Sequence, residues 1–316
     1  MTKIICGVDV ASRSLQARIG PEGPAGRFAN TAKGIAELAM FCRQHQVDLV
    51  AMEATGGYEK RPFALLWAQE VAVAILNPRA VRHFAEGMGW LEKTDRIDAG
   101  MIAWFAQVKR VAAMAPLSAE QQRLKALVVR LRQLTAMRTV QQNQQRLVED
   151  PLVLKSFTRV LAVLATQMGK LELAIAELIA ADPLWRKLDQ AFRSIKGVAD
   201  RTVAHLMAEM PEIGTVSNKA ISKLAGLAPM ARDSGQLEGK RKVRGGRRPM
   251  RSLLFVVAMI VRRFNPDFAA FHQRLKAAGK PKKVIRIAVA HKLLVRLNAK
   301  ARQVRSELAW CPGPAS

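Results

Sequence analysis

Residues 3–10, KIICGVDV, form an apolar run of strand length with one carboxylate, Asp9, set near its end. A run this short and this apolar reads as a buried strand. A carboxylate inside it needs a partner, because an unpaired buried charge is very costly. The fold must therefore bring something to Asp9 at the C-terminal end of that strand.

The next segments extend the strand into a sheet. LQARIG and GRFAN read as two short strands, joined by the Gly/Pro-rich turn PEGPAG. Thr31 is placed to cap a helix running to about Gln44, with Ile35, Leu38, Ala39 and Cys42 on one face. DLVAME is a second buried strand, ending on Glu53 and followed by the turn residues Thr55, Gly56 and Gly57; a helix is predicted from about Tyr58. VAVAILNP is another strand, stopped by Pro78, and two helical stretches follow, the second carrying Asp95 and Asp98. Three strands followed by alternating helices and strands predict an α/β domain with a mixed sheet over residues 1–116.

Residues 117–187 read as a helical arm. Leu124, Leu127, Leu131 and Leu134 recur at alternating spacings of three and four, and Glu149-Asp150-Pro151 breaks the run. Leu154, Phe157, Leu161, Leu164, Met168, Leu171, Ile175 and Leu178 then make a heptad seam, closed by Asp182-Pro183. The pattern allows a coiled-coil oligomerisation arm or an ordinary intramolecular hairpin. A third, mainly helical region covers 188–305. In SIKGVADRTVAHLMAEM, the turn at Gly197 allows either a helix-hairpin-helix, whose amides grip a phosphate, or a plain helix start. The terminal CPGPAS is expected to be frayed.

Charge narrows the partners. The 316-residue chain has a formal net charge of +26. After Glu238 the only acids are Asp267 and Glu307, while bases crowd the same stretch, among them Arg262, Arg263, Lys280, Lys282 and Lys283. Nucleic acid fits this asymmetry, since phosphate neutralisation releases counterions whatever the sequence. Arg232, Lys240, Arg241, Lys242, Arg244, Arg247, Arg248 and Arg251 are the candidate contacts. Gly245-Gly246 among them suits either a close backbone approach to phosphate or a flexible loop. No membrane partner is expected: the apolar stretch Leu253 to Val261 is short and flanked by arginines, and MTKIICGVDV meets Asp9 too early for a signal peptide. Cys6, Cys42 and Cys311 are far apart and odd in number, which argues against structural zinc or a disulfide framework and fits a reducing bacterial cytoplasm, near the nucleoid. Tyr58 and the five tryptophans do not interleave with the bases, so they read as core and not as a stacking platform for single strands. The five histidines show no metal-ligand spacing.

Four acids form the candidate centre. Asp9 and Glu53 end strands, and adjacent strand ends converge; Asp95 and Asp98, three apart on a helix, project from one face. Clustered carboxylates repel one another unless a hard divalent cation such as Mg²⁺ joins them. Two such ions roughly 4 Å apart suit phosphoryl transfer. Asp95 and Asp98 also read as solvated helix acids, or as partners of Lys93 and Arg96.

GVDVAS around Asp9, MEATGGY around Glu53 and KTDRIDA around Asp95 and Asp98 together resemble the DEDD motif of the insertion-sequence transposases related to the pilin-gene invertase Piv. SIKGVADRTVAHLMAE, KLAGLAPMARDSG and RKVRGGRRPMRSLL resemble the C-terminal transposase domain of the same family, so the resemblance runs from about residue 4 to 300. It implies an RNase H-like (RuvC-like) N-terminal domain, a long coiled-coil arm and a mainly helical C-terminal transposase domain. It implies Mg²⁺, with Mn²⁺ as a substitute, held by Asp9, Glu53, Asp95 and Asp98. It places Ser234 at the position of the family's nucleophilic serine, which joins a DNA phosphate and frees a 3′-hydroxyl. It further implies donor and target double-stranded DNA, a guide (bridge) RNA, and dimers that pair into a tetramer. On its own residues Ser234 is a loop serine beside Arg232, Arg241 and Arg244, and such a hydroxyl needs activation to act as a nucleophile. Two other readings compete: a RuvC-like structure-specific endonuclease using metal-activated water, and a non-enzymatic architectural or RNA-binding protein.

Overall fold

A computed structural model of the chain describes residues 3–90, 95–231, 234, 239 and 241–310. The chain divides into two compact units, Met1–Leu117 and Ser118–Ser316.

The first unit is built on strands β1 (Ile5–Val10), β2 (Ser14–Ile19) and β3 (Ala25–Ala29), helix α1 (Ala32–Gln44), strand β4 (Leu49–Glu53), helix α2 (Lys60–Trp67), strand β5 (Val73–Leu76) and helices α3 (Pro78–Gly87) and α4 (Asp95–Val108). The strands form one sheet in the order β3-β2-β1-β4-β5. β1, β2 and β3 run antiparallel to their neighbours in a meander, whereas β4 and β5 run parallel to β1. The parallel strands need crossovers, and α1 and α2 supply them. This mixed sheet with helices on both faces fits the RNase H-like expectation.

Period-two alternation sorts the side chains of β1 and β4 between two cores. Cys6, Val8, Val10, Val50 and Met52 pack with Ile35, Leu38 and Cys42 of α1. Ile5, Leu49 and Ala51 pack with Val81 and Ala85 of α3 and with Ile102, Ala103 and Ala106 of α4. Helix α1 starts where the sequence places it: Thr31 accepts a hydrogen bond from Gly34 N at 3.2 Å. Cys6 and Cys42 are free and buried, and the hydrogen bond between them, with burial, pushes the Cys6 thiol well above its ordinary value. Cys311 lies outside the described residues.

The second unit opens with the long helices α5 (Ala119–Gln145) and α6 (Pro151–Ala181). Asp150 caps α6 through Val153 N at 3.0 Å. The two helices pack on each other within the chain. The heptad seam faces inward: Leu154, Phe157 and Leu161 are half-buried, and Leu164, Met168 and Ile175 are buried. Those buried residues share one core with the helices that follow, α7 (Pro183–Arg193), α8 (Asp200–Glu209), α9 (Asn218–Leu224), α10 (Arg248–Phe264), α11 (Pro266–Ala277) and α12 (Lys282–Trp310). Gln121 of α5 donates to Met207 O of α8 at 2.8 Å in a buried setting. Helix α12 carries the fully buried Asn298, whose Oδ1 accepts from Gly214 N at 2.8 Å and whose Nδ2 donates to Val216 O at 3.1 Å. Gly197 (φ +99°) is the turn between α7 and α8, and a Cβ there would meet Val261 Cα of α10 at 2.9 Å. Its place in the fold is thus set by close packing against α10. Among the described residues, no helix is long and apolar enough to cross a membrane.

Candidate active site

Asp9 and Glu53 reach the same place by the same route. Val8 pairs with Met52 as the last register pair between parallel β1 and β4, so Asp9 and Glu53 follow side by side at the two C-terminal strand ends. Alternation puts both on the face of Ile5, Gly7, Leu49 and Ala51, the face that α4 covers. Both are partly buried. Ligand sites of open α/β sheets favour such C-terminal strand ends.

Gly7 brings α4 onto this face. A Cβ at Gly7 would lie 2.0 Å from Ala99 O and 2.5 Å from Ala103 N, so helix backbone rests directly on strand backbone. Asp98 immediately precedes Ala99, and it is partly buried. Asp95 is the first residue of α4. The side chains of Asp95 and Arg96, and Lys93 altogether, lie outside the described residues. Asp9, Glu53 and Asp98 therefore belong to one face of one sheet, with Asp95 one helical turn before Asp98. All are hard oxygen donors, the set that suits Mg²⁺. Among the described residues, which exclude the Asp95 side chain, no three His, Cys, Asp or Glu are gathered closely enough to hold a metal ion.

The loop after Glu53 is held by a residue not singled out from sequence. Glu59 Oε2 accepts from Thr55 N at 3.0 Å and from Gly57 N at 2.9 Å. Gly56 and Gly57 adopt φ of +62° and +108°, which lets the chain turn back onto Glu59. The expected helix start near Tyr58 falls instead at Lys60, because Glu59 is engaged by this loop. Tyr58 and Trp90 are exposed, contrary to the core reading of the aromatics, whereas Trp185 is buried.

Ser234 belongs to the second unit and is exposed. It lies on a loop closed at its base by two short antiparallel strands, β6 (Pro229–Met230) and β7 (Lys242–Val243), paired Pro229 to Val243 and Met230 to Lys242. A second clamp follows. Gly246 (φ +66°) presses on Gly226 so closely that a Cβ would fall 2.2 Å from Gly226 N. The glycine pair thus serves a close approach of backbone to backbone inside this chain. Arg251 Nη1 donates to Gly245 O at 2.7 Å. Arg247 donates to Glu212 Oε2 at 2.7 Å and to Glu209 O at 2.8 Å, and its N–H donates to Leu224 O at 2.7 Å.

The basic run is therefore divided. Arg247 and Arg251 are half-buried and engaged at the base of the loop, while Arg241, Lys242, Arg244 and Arg248 are exposed. Arg232 and Lys240 lie outside the described residues. Burial pushes the Glu212 carboxyl up, but the hydrogen bond and charge of Arg247 outweigh it and hold Glu212 below the usual carboxylate range. The Glu212 hydrogen bond raises Arg247 in turn. Glu209 is likewise lowered, the influence of His205 and Arg132 exceeding that of its burial. Nothing local in the sequence marks Glu212 as the partner of Arg247.

Comparison with known proteins assigns both units. A DEDD transposase family model of the IS110 type matches residues 6–148, and a model described as "Transposase IS116/IS110/IS902 family" matches residues 189–273. The chain is 28% identical to the pilin gene-inverting protein of Moraxella lacunata over 96% of its own length and 98% of that protein, and equally so to that of Moraxella bovis. An uncharacterised 43.6 kDa protein of insertion element IS110 from Streptomyces coelicolor is 29% identical over 41% of this chain and 31% of its own length. A Thermus thermophilus RuvC structure aligns over 35% of this chain and 98% of its own with 15% identity and a TM-score of 0.26. Matched in order across both units and aligned nearly end to end with the pilin gene inverters, the chain belongs to the DEDD, IS110-type family of transposases, enzymes that recombine DNA.

Proposed function

We propose that this transposase cuts and rejoins DNA through a serine-linked intermediate, with Ser234 as nucleophile and Asp9, Glu53, Asp95 and Asp98 as the metal-binding set. The observation that carries the reading is the side-by-side emergence of Asp9 and Glu53 beneath α4. Bound Mg²⁺, or Mn²⁺ in its place, would supply charge stabilisation to a phosphate at those carboxylates. The Ser234 hydroxyl gives up its proton as Oγ bonds to phosphorus, and the P–O3′ bond breaks. The 3′-oxygen leaves, takes a proton and becomes the hydroxyl that later attacks another phosphoserine. Because the phosphodiester is exchanged and not hydrolysed, no ATP is needed. Exposure of Ser234 on a loop braced at its base supports this role, since a nucleophile must reach the DNA from a fixed support.

Arg241, Lys242, Arg244 and Arg248 are the DNA-facing charges of the same segment, and Arg247 and Arg251 set its shape. The arm of α5 and α6, whose heptad seam is filled within the chain, is the part through which dimers form and pair into tetramers. A guide RNA selects the donor and target duplexes. The 28% identity to pilin gene-inverting proteins, whose name describes DNA inversion, supports the recombinase reading over the endonuclease one.

The test is a covalent-adduct assay. The protein, Mg²⁺, junction DNA and guide RNA are mixed, then denatured and resolved by mass. Wild type is expected to give a protein–DNA adduct that Asp9→Ala and Ser234→Ala both abolish. An adduct that persists in Ser234→Ala refutes the serine assignment. Cleavage without any adduct, lost in Asp9→Ala alone, establishes the RuvC-like nuclease instead.

A further inference from the structure

Helices α10 and α11 meet at Asn265, whose Oδ1 accepts from Asp267 N at 3.1 Å. In the angle between them is a cleft of about 600 Å³, inside the range of roughly 300–1,000 Å³ typical of ligand pockets. Met259, Ile260 and Phe264 give it an apolar wall, and His272 and Gln273 face them from α11. That wall is uncovered: Phe264 is 57% exposed, and Met259 and Ile260 are exposed beside it.

The rim is cationic. The Arg263 guanidinium stands 5.9 Å from the centroid of the Phe264 ring. Arg262 Nη1 donates to His272 Nε2 at 2.8 Å. A guanidinium only donates, so Nε2 is an acceptor, the imidazole is neutral and its hydrogen is on Nδ1. Burial, then the charges of Arg262 and Lys276, hold His272 below its ordinary value and keep it in that form. Asp267, one of the two acids that follow Glu238, pairs with Arg296 at 2.9 Å. The cleft thus combines a flat aromatic face, two arginines and two neutral polar groups.

An apolar peptide seated there would desolvate the two guanidinium groups without supplying a counter-charge, whereas a phosphate supplies one. A base in intact duplex keeps its faces stacked on its neighbours and cannot offer one to Phe264, but an unpaired base can. Strand exchange, the reaction of this family, unpairs DNA. We propose that the cleft between α10 and α11 binds an unpaired segment of DNA, stacking a base on Phe264 and holding its phosphates with Arg262 and Arg263. The Gln273 amide and the His272 Nδ1–H are the groups available to the base edge. The proposal rests on the family's reaction and not on the serine chemistry, so Ser234→Ala leaves it untouched.

The experiment measures binding of the full-length protein to a short single-stranded DNA carrying 2-aminopurine, whose fluorescence falls on stacking, and to the duplex of the same sequence. Phe264→Leu keeps apolar bulk but removes the ring; it is expected to weaken single-strand binding by roughly 5- to 100-fold and to restore the fluorescence. Phe264→Trp is expected to retain both, and all three proteins to bind the duplex alike. Arg263→Gln is expected to lower the salt dependence of single-strand binding by about one charge, and it carries the test should Phe264→Leu fail to fold. Equal single-strand binding by wild type and Phe264→Leu overturns the proposal, as does an equal loss on duplex. Tighter binding of RNA of the same sequence assigns the cleft to RNA and overturns it too. So does a change in oligomeric mass in Phe264→Leu, which assigns the face to a second copy.

Discussion

Gly7→Ala is the substitution that most directly tests how the carboxylates are assembled. The added Cβ would sit 2.0 Å from Ala99 O and 2.5 Å from Ala103 N, both backbone atoms of α4. Real Cβ atoms essentially never approach closer than 3.0 Å, so helix and strand must separate by 3.0 − 2.0, about 1 Å at least. No flexible side chain can absorb that shift, because the obstacle is backbone on both sides. α4 carries Ile102, Ala103 and Ala106, all fully buried, so the retreat loosens the core beneath it. Overpacking of this kind costs about 1–3 kcal/mol. For a unit the size of Met1–Leu117 that lowers the midpoint of its thermal transition by roughly 4–15 °C. Asp98 moves with the helix, and a misplacement of about 1 Å in a reacting constellation can cost on the order of 100-fold in rate. The assay pairs calorimetry with recombination measured well below the lowered midpoint. Gly169→Ala is the control, since a Cβ there meets nothing within 4 Å and alanine in a helix gains about 0.5–1 kcal/mol over glycine. A Gly7→Ala protein that melts with wild type refutes the packing argument. One that melts early yet recombines at the wild-type rate refutes the claim that α4 positions a catalytic acid.

Gly246→Ala meets both a left-handed φ of +66° and a Cβ 2.2 Å from Gly226 N, so it is expected to open the base of the Ser234 loop; limited proteolysis should cut near residues 231–241 sooner, with the first unit's melting unchanged. The Glu212 carboxyl is lowered in the folded state, so its contribution is full above its ordinary value of 4.5 and is lost as pH falls through the lower folded value. Glu212→Gln is therefore expected to cost roughly 1 kcal/mol at neutral pH, discounted for its partial exposure, and the gap to wild type in urea denaturation should close with acidification below that value; a gap that widens refutes the ion-pair account. Arg244→Gln is expected to reduce the salt slope of DNA binding by about 1, whereas Arg247→Gln should lower the melting temperature and leave the slope unchanged. The reverse pattern would show that Arg247 contacts phosphate.

That last pair shows what a sequence holds and what it does not. Arg244 and Arg247 stand three residues apart in the same basic run, and composition treats them alike. Their difference is fixed by Glu212 and by the Glu209 carbonyl, 35 and 38 residues away, contacts that no local pattern encodes. Gly246 is similar: a glycine in an arginine run announces that something comes close, but the occupant is Gly226 of the same chain. Phe264 ends an apolar helix and from sequence reads as core; only its exposure in the fold marks it as a surface ring among the bases. The strand ends are the opposite case. Asp9 and Glu53 each close a short apolar run, and the period of two fixes their face once the strands pair in parallel. Local chemistry likewise fixes the caps at Thr31, Asp150 and Asp182, each a short polar side chain bonding an amide three residues ahead. A site assembled from strand ends is thus legible to the extent that its geometry follows from backbone period. Ser234 has no such period to betray it: it lies between two-residue strands whose pairing depends on Gly226 and Arg251 closing the loop from outside. Only the order of motifs shared with a family could mark that serine, because the forces that hold its loop come from residues elsewhere in the chain.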